Sequence, residues 1–133
     1  MKRRTFVLLS FYTGAAVSIP SFGCSSESAV AGKPWLQPGL LSYICDARTL
    51  QEIGIAYREK VKAESNEKQL INLLLADSTN IVMPVSSPDA VISSLLVKKI
   101  QEDIDNGKTV IVKGWVLAET EARQCALFSL TQK

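Results

Sequence analysis

The chain contains no histidine. That absence removes Ser-His-Asp and Cys-His nucleophile systems, histidine-bound zinc or iron, and haem attachment through a Cys-x-x-Cys-His sequence. No glycine-rich dinucleotide or phosphate loop occurs either. The apolar stretch from Phe6 to Ile19 is interrupted by Ser10, Thr13, Gly14 and Ser18, and it falls short of the roughly 20 residues a membrane-crossing helix needs. Aromatic residues are sparse at 7%, with only two tryptophans, Trp35 and Trp115. They could stack on a sugar, but a lone Trp beside prolines or in a hairpin serves packing equally well.

What is present begins with an address. Met1-Lys2-Arg3-Arg4 is followed by the apolar stretch, Pro20 and a run of small residues up to Cys24, which is the layout of an export signal. Arg3-Arg4-Thr5-Phe6-Val7 resembles the bacterial twin-arginine signal; an ordinary secretory signal with two basic residues is the alternative. Ser21-Phe22-Gly23-Cys24 resembles a relaxed lipobox, at which residues 1–23 are removed and Cys24 is acylated. Residues 24–38, with Ser25-Ser26-Glu27-Ser28 at their start, read as a tether between that anchor and a folded domain at 39–133. The expected location is the bacterial cell envelope, on the membrane through lipid on Cys24.

Removal of the signal takes Lys2, Arg3 and Arg4 with it and leaves 12 basic against 13 acidic residues. The basic excess of the whole chain therefore belongs to the signal, and no electrostatic case for nucleic acid remains. The other 110 residues suffice for one core and not two. Acylation of Cys24 would leave Cys45 and Cys125 as a pair, 80 residues apart. A disulfide closing that loop would contribute on the order of 4 kcal/mol, while two buried free thiols fit the apolar surroundings of both positions as well.

Hydrophobic spacing predicts a mainly helical α+β domain of about four helices with one short hairpin before the C-terminal helix. Leu40, Leu41, Tyr43 and Ile44 suit one or two helical turns after Pro38-Gly39. Thr49-Leu50-Gln51-Glu52 has capping-box spacing and predicts a helix to about Ala63, with Leu50, Ile53, Tyr57 and Val61 inward and Arg58, Glu59, Lys60 and Lys62 solvated. Gly54 should weaken that helix by roughly 1 kcal/mol. A second helix from Glu67 carries Leu70, Ile71, Leu73, Leu74 and Leu75, enough to need cover on more than one side. Ile81–Val85, stopped by Pro84, reads as an extended packed loop.

Ser87-Pro88 predicts a third helix capped by the Ser87 hydroxyl, ended by Asn106-Gly107 with Gly107 left-handed. Thr109–Val112 and Trp115–Leu117 flank Lys113-Gly114 as a hairpin. The last helix starts near Glu119, where Glu119 pairs with Arg123 one turn on. Glu102, Asp103 and Asp105 form the densest acidic cluster, read as a solvated face and not as a calcium site or catalytic pair.

The Arg3-Arg4 signal, Thr49-Leu50-Gln51-Glu52-Ile53-Gly54 and Ile81-Val82-Met83-Pro84…Ser87-Pro88-Asp89-Ala90-Val91 together resemble the subunit 3 family of gluconate 2-dehydrogenase. Members accompany a flavin-containing GMC-type dehydrogenase. The resemblance implies a small exported subunit that serves export, assembly or membrane attachment of a cofactor-bearing oxidoreductase, with no cofactor or catalytic residue of its own. The residues expected to meet such a partner are Trp115, Glu119, Glu121 and Arg123, at the junction of hairpin and last helix. A stand-alone lipoprotein binding a small ligand or glycan is the competing expectation, and it would use exposed aromatics near Trp35, Tyr43 and Trp115. An enzyme working by carboxylates alone would need two acids converging in a cleft.

Overall fold

The computed structural model describes residues 30–132; Arg3, Arg4 and Cys24 lie outside them. The order of elements is a 3-10 turn at Pro34–Leu36, α1 (Gly39–Ile44), α2 (Ala47–Lys60), a 3-10 turn at Lys62–Glu64, α3 (Glu67–Leu75), α4 (Asp89–Asp105), β1 (Thr109–Val112), β2 (Trp115–Ala118) and α5 (Glu119–Thr131). This is the mainly helical α+β domain that the periodicity predicts, with the hairpin in its expected place before the C-terminal helix.

α5 is the centre of the molecule. Ala122, Cys125, Ala126 and Leu127 are completely buried, and Thr120, Gln124, Phe128 and Ser129 nearly so. A helix enclosed on all sides needs neighbours all round, and α2, α3, α4 and the Pro34–Leu36 turn all pack against it. α2 makes the closest approach at Gly54. A Cβ built there would run into the Cys125 carbonyl and lie 2.9 Å from the Ser129 Cβ. Gly54 is thus less a weak point in α2 than the notch that lets two helix backbones meet.

Several local details differ from the sequence expectations, each for a definable reason. α2 is capped by Asp46, whose carboxylate accepts from the Thr49 amide at 2.9 Å. Thr49 is therefore in the first turn as a donor, and Glu52 pairs with Arg48 at 3.4 Å instead of closing a capping box. Pro88 adopts an extended conformation (φ −58°, ψ 142°), so α4 starts at Asp89 without a side-chain cap from Ser87. The helix predicted to Ala63 stops at Lys60. Val30, Trp35 and Leu36, which the sequence places in the tether at 24–38, are 0, 2 and 1% exposed and belong to the core.

On α3, Leu70, Leu74 and Leu75 are fully buried while Ile71 and Leu73 are only half covered. The loop after it runs extended, with Met83 N donating to Leu75 O at 2.8 Å and a single bridge between Ala76 and Val82. It is less packed than predicted, since Ile81 and Val82 are exposed. Gly107 takes the left-handed conformation expected of it (φ 72°), as do Lys113 and Gly114 at the hairpin turn (φ 50° and 86°). Two consecutive positive φ values make the turn twist with the strands, and they set the register Val112 to Trp115 and Ile111 to Val116.

Candidate functional site: a polar cleft and an apolar helix face

A concavity of about 580 Å³ lies where the C-terminal end of α3, the second half of α4 and the first turn of α5 converge. Charged side chains line it, and four of them, Lys99, Asp103, Glu119 and Arg123, are tied to the fold. Lys99, on α4, donates to the carbonyls of Leu73 at 2.6 Å, Leu74 at 3.0 Å and Ala76 at 2.8 Å. The final carbonyls of a helix have no partners within it, and α3 ends without a basic residue in its last turn. Lys99 supplies the missing donors from the neighbouring helix. Burial lowers its pKa from the usual lysine value.

A similar exchange occurs at the start of α5. Ala118 stands at the N-cap and has no side-chain acceptor. Asp103 of α4 takes its place, accepting from the Thr120 amide at 2.8 Å and the Thr120 hydroxyl at 2.7 Å. Glu121 reaches back to accept from the Ala118 amide at 3.0 Å, giving half of a capping box. Asp103 is therefore not part of the solvated face expected of the 102–105 cluster, because the α5 terminus beside it needs an acceptor.

From the second turn of α5, Arg123 donates to both oxygens of Glu64, at 2.8 and 3.1 Å, and lies 3.7 Å from Glu119. Tyr57 donates its hydroxyl to the same Glu64 carboxylate at 2.7 Å. The hydrogen bond from Arg123 holds Glu64 below the usual carboxylate range against the opposing effect of burial. Burial and the adjacent carboxylate together raise the Tyr57 phenol. Desolvation opposes the Arg123 charge, but Glu64 outweighs it and the pKa rises. At the cleft rim, Asp77 is lowered by its bond to the Thr79 hydroxyl (2.6 Å) and by the Ile81 and Thr79 amides.

Four acids, Asp77, Glu102, Asp103 and Glu119, thus share one cleft, but proton shuttling asks for an acid held near neutrality. Asp77 is shifted the other way, and Asp103 and Glu119 are engaged by Thr120 and Arg123. Among the described residues no group of three or more acidic or cysteine side chains is placed to hold a metal ion.

The four residues expected to meet a partner do not form one surface. Glu119 and Arg123 come together as predicted, but Glu121 is buried by its capping role and Arg123 retains only 17% side-chain exposure. Trp115 is half-buried beside the core. Arg58 and Lys60, expected to be solvated, reach the Ser129 hydroxyl (3.0 Å) and the Ile111 carbonyl (2.8 Å). Cys125 is buried and Cys45 half-buried, both as free thiols. Burial raises both thiols, and the Asp46 charge adds to the effect at Cys45.

Sequence reasoning missed the surface that is conspicuous in the fold. Leu40, Tyr43 and Ile44 are 75, 87 and 69% exposed on α1. Their i, i+3, i+4 spacing puts them on one side of the helix, while Leu41 alone turns to the core. The spacing was there to be read, but it points equally well inward or outward. Tyr43 cannot share an aromatic platform with Trp35, which is 2% exposed. Compared with protein-family models, with curated proteins and with solved structures, the chain matches none.

Proposed function

We propose that this chain is an exported, membrane-tethered accessory subunit without catalysis of its own, holding a cofactor-bearing oxidoreductase in the cell envelope. The observation that carries the reading is the Leu40–Tyr43–Ile44 face, three large apolar side chains displayed together on a short helix. Such a patch, when rimmed by polar residues, marks an interaction site. The use of Lys99 and Asp103 in the cleft as struts between helices supports a binding role over a chemical one. On this reading the Arg3-Arg4 signal directs export and lipid on Cys24 provides the tether, so the domain meets its partner at the membrane.

The test is isolation of the tagged, full-length protein from native membranes in mild detergent, followed by mass spectrometry and an absorption spectrum. A stoichiometric oxidoreductase with flavin or haem absorption is expected, with Cys24 acylated. A colourless, partnerless protein recovered from the soluble fraction would overturn the proposal.

A further inference from the structure

α4 has one side that the core does not use. With about 100° between successive helical residues, Ala90, Ser93, Ser94, Val97, Ile100 and Ile104 fall within a sector of roughly 120°, and none carries a charge. Val97 and Ile104 are 67 and 52% exposed, and Ala90 and Ser94 are exposed with them. Gln101, the remaining residue of the sector, is held along the helix by donating to Asp105 at 2.9 Å. The uncharged surface continues across a groove to Pro34, Gln37 and Gly39, which border it together with Ser93, Val97 and Ile100.

The stripe is tapered. Its first half is small, with Ala90, Ser93 and Ser94, and its second half is bulky, with Val97, Ile100 and Ile104. An identical helix laid parallel on it would set bulk on bulk at one end and leave a gap at the other. Laid antiparallel, it sets Ile104 against Ala90 and Ser93 at both ends, while Val97 and Ile100 meet their own counterparts near the middle. Such matching gives the close packing that specific interfaces share with protein interiors. Antiparallel order is also what a two-fold axis through the stripe imposes, since each copy then offers the same patch to the other. The charged residues of α4 lie outside the sector, so the approach leaves no ion buried.

The stripe and the far wall of the groove offer roughly 500 Å² on each copy, which places a pair at about the 1,000 Å² needed for a specific interface. An interface of that size makes a weak dimer, with a dissociation constant on the order of tens of micromolar. We propose that α4 is a self-association surface, on which a second copy of this chain packs its own α4 antiparallel, bulky end against small end. This goes beyond the accessory-subunit reading and does not rest on it, because the Leu40–Tyr43–Ile44 face belongs to another helix.

The test is sedimentation equilibrium of the full chain carrying Cys24→Ser, from about 1 to 500 µM, a range that brackets such an affinity. A reversible passage from monomer to dimer is expected. Val97→Glu places two carboxylates near the axis and should abolish it. Ile104→Ala should weaken the dimer about tenfold by removing apolar contact, and Ala90→Ile should weaken it by a similar factor by overfilling the narrow end. The double variant, which exchanges the two sizes, should regain most of the parent affinity. All three positions are exposed, so folding is not at risk. The proposal is overturned if the parent stays monomeric throughout, which would leave the stripe to a helix of another protein. It is equally overturned if Val97→Glu still associates, if Ala90→Ile strengthens association as unspecific stickiness would, or if the double variant is no better than the single ones.

Discussion

Gly54 on α2 lies against the carbonyl of Cys125 on α5, with no room between them for a methyl group. On helix propensity alone, Gly54→Ala would stabilise α2 by about 1 kcal/mol. The contact reverses the sign, because the obstacle is backbone and cannot rotate away. Gly54→Ala should destabilise the domain by about 3 kcal/mol, at the upper end of overpacking costs. Chemical denaturation with the slope unchanged would measure it, and any gain in stability would contradict the close crossing.

The Arg123, Glu64 and Tyr57 cluster makes stability depend on pH in the acid range. Glu64 has a folded-state pKa below its ordinary value of 4.5. A depressed carboxylate contributes stability that is present above the unfolded value and lost as pH falls through the folded one. Melting temperature should therefore drop below about pH 4.5. Glu64→Gln should remove this component of the acid dependence and cost about 2 kcal/mol at neutral pH, since Arg123 loses its charged partner. A variant with the parent's full acid sensitivity would refute the assignment.

Lys99 joins α4 to the end of α3 through three carbonyls. Replacing it by Met keeps the apolar stem and withdraws every donor. The expected cost is about 2–3 kcal/mol, in line with losing hydrogen bonds from a charged group. Amide exchange should accelerate first around the α3 terminus, including Met83, whose N–H bonds Leu75 O. Uniform acceleration throughout the chain would argue against a local clasp.

Both thiols of the domain are free, and their reactivities should separate by burial. With Cys24 replaced by Ser, a thiol reagent should modify Cys45 slowly in the native state and reach Cys125 only on unfolding. Adding reductant should leave the melting temperature unchanged. A fall of several degrees on reduction would show that the two are bridged.

The parts of the fold most legible in the sequence were those set by local rules. Hydrophobic spacing located α3 to α5, and Gly107 and the Lys113-Gly114 turn took the positive φ values that their residue types favour. Local rules failed where a distant residue did the work. Thr49 looked like a cap until Asp46 proved better placed. Asp103 reads as a solvent-facing charge because the helix end it satisfies belongs to another element, and the task of Lys99 at the end of α3 is as distant in sequence. The burial of Val30, Trp35 and Leu36 was hidden by Gly32, Pro34 and Pro38, whose composition reads as a linker. The cleft was equally obscure, since its members come from three helices far apart in sequence.

α5 is the last of these elements to be made, yet α2, α3, α4, the hairpin and the Pro34–Leu36 turn all pack on it. During synthesis, Leu50, Ile53, Leu70, Leu74 and Leu75 leave the ribosome without the helix that packs on both α2 and α3 until residues 119–131 follow. Half a molecule has no miniature core of its own to fall back on. Folding of this domain is consequently deferred until its final helix has emerged, and a chain interrupted before Glu119 is a substrate for chaperones and proteases instead of a partly working protein.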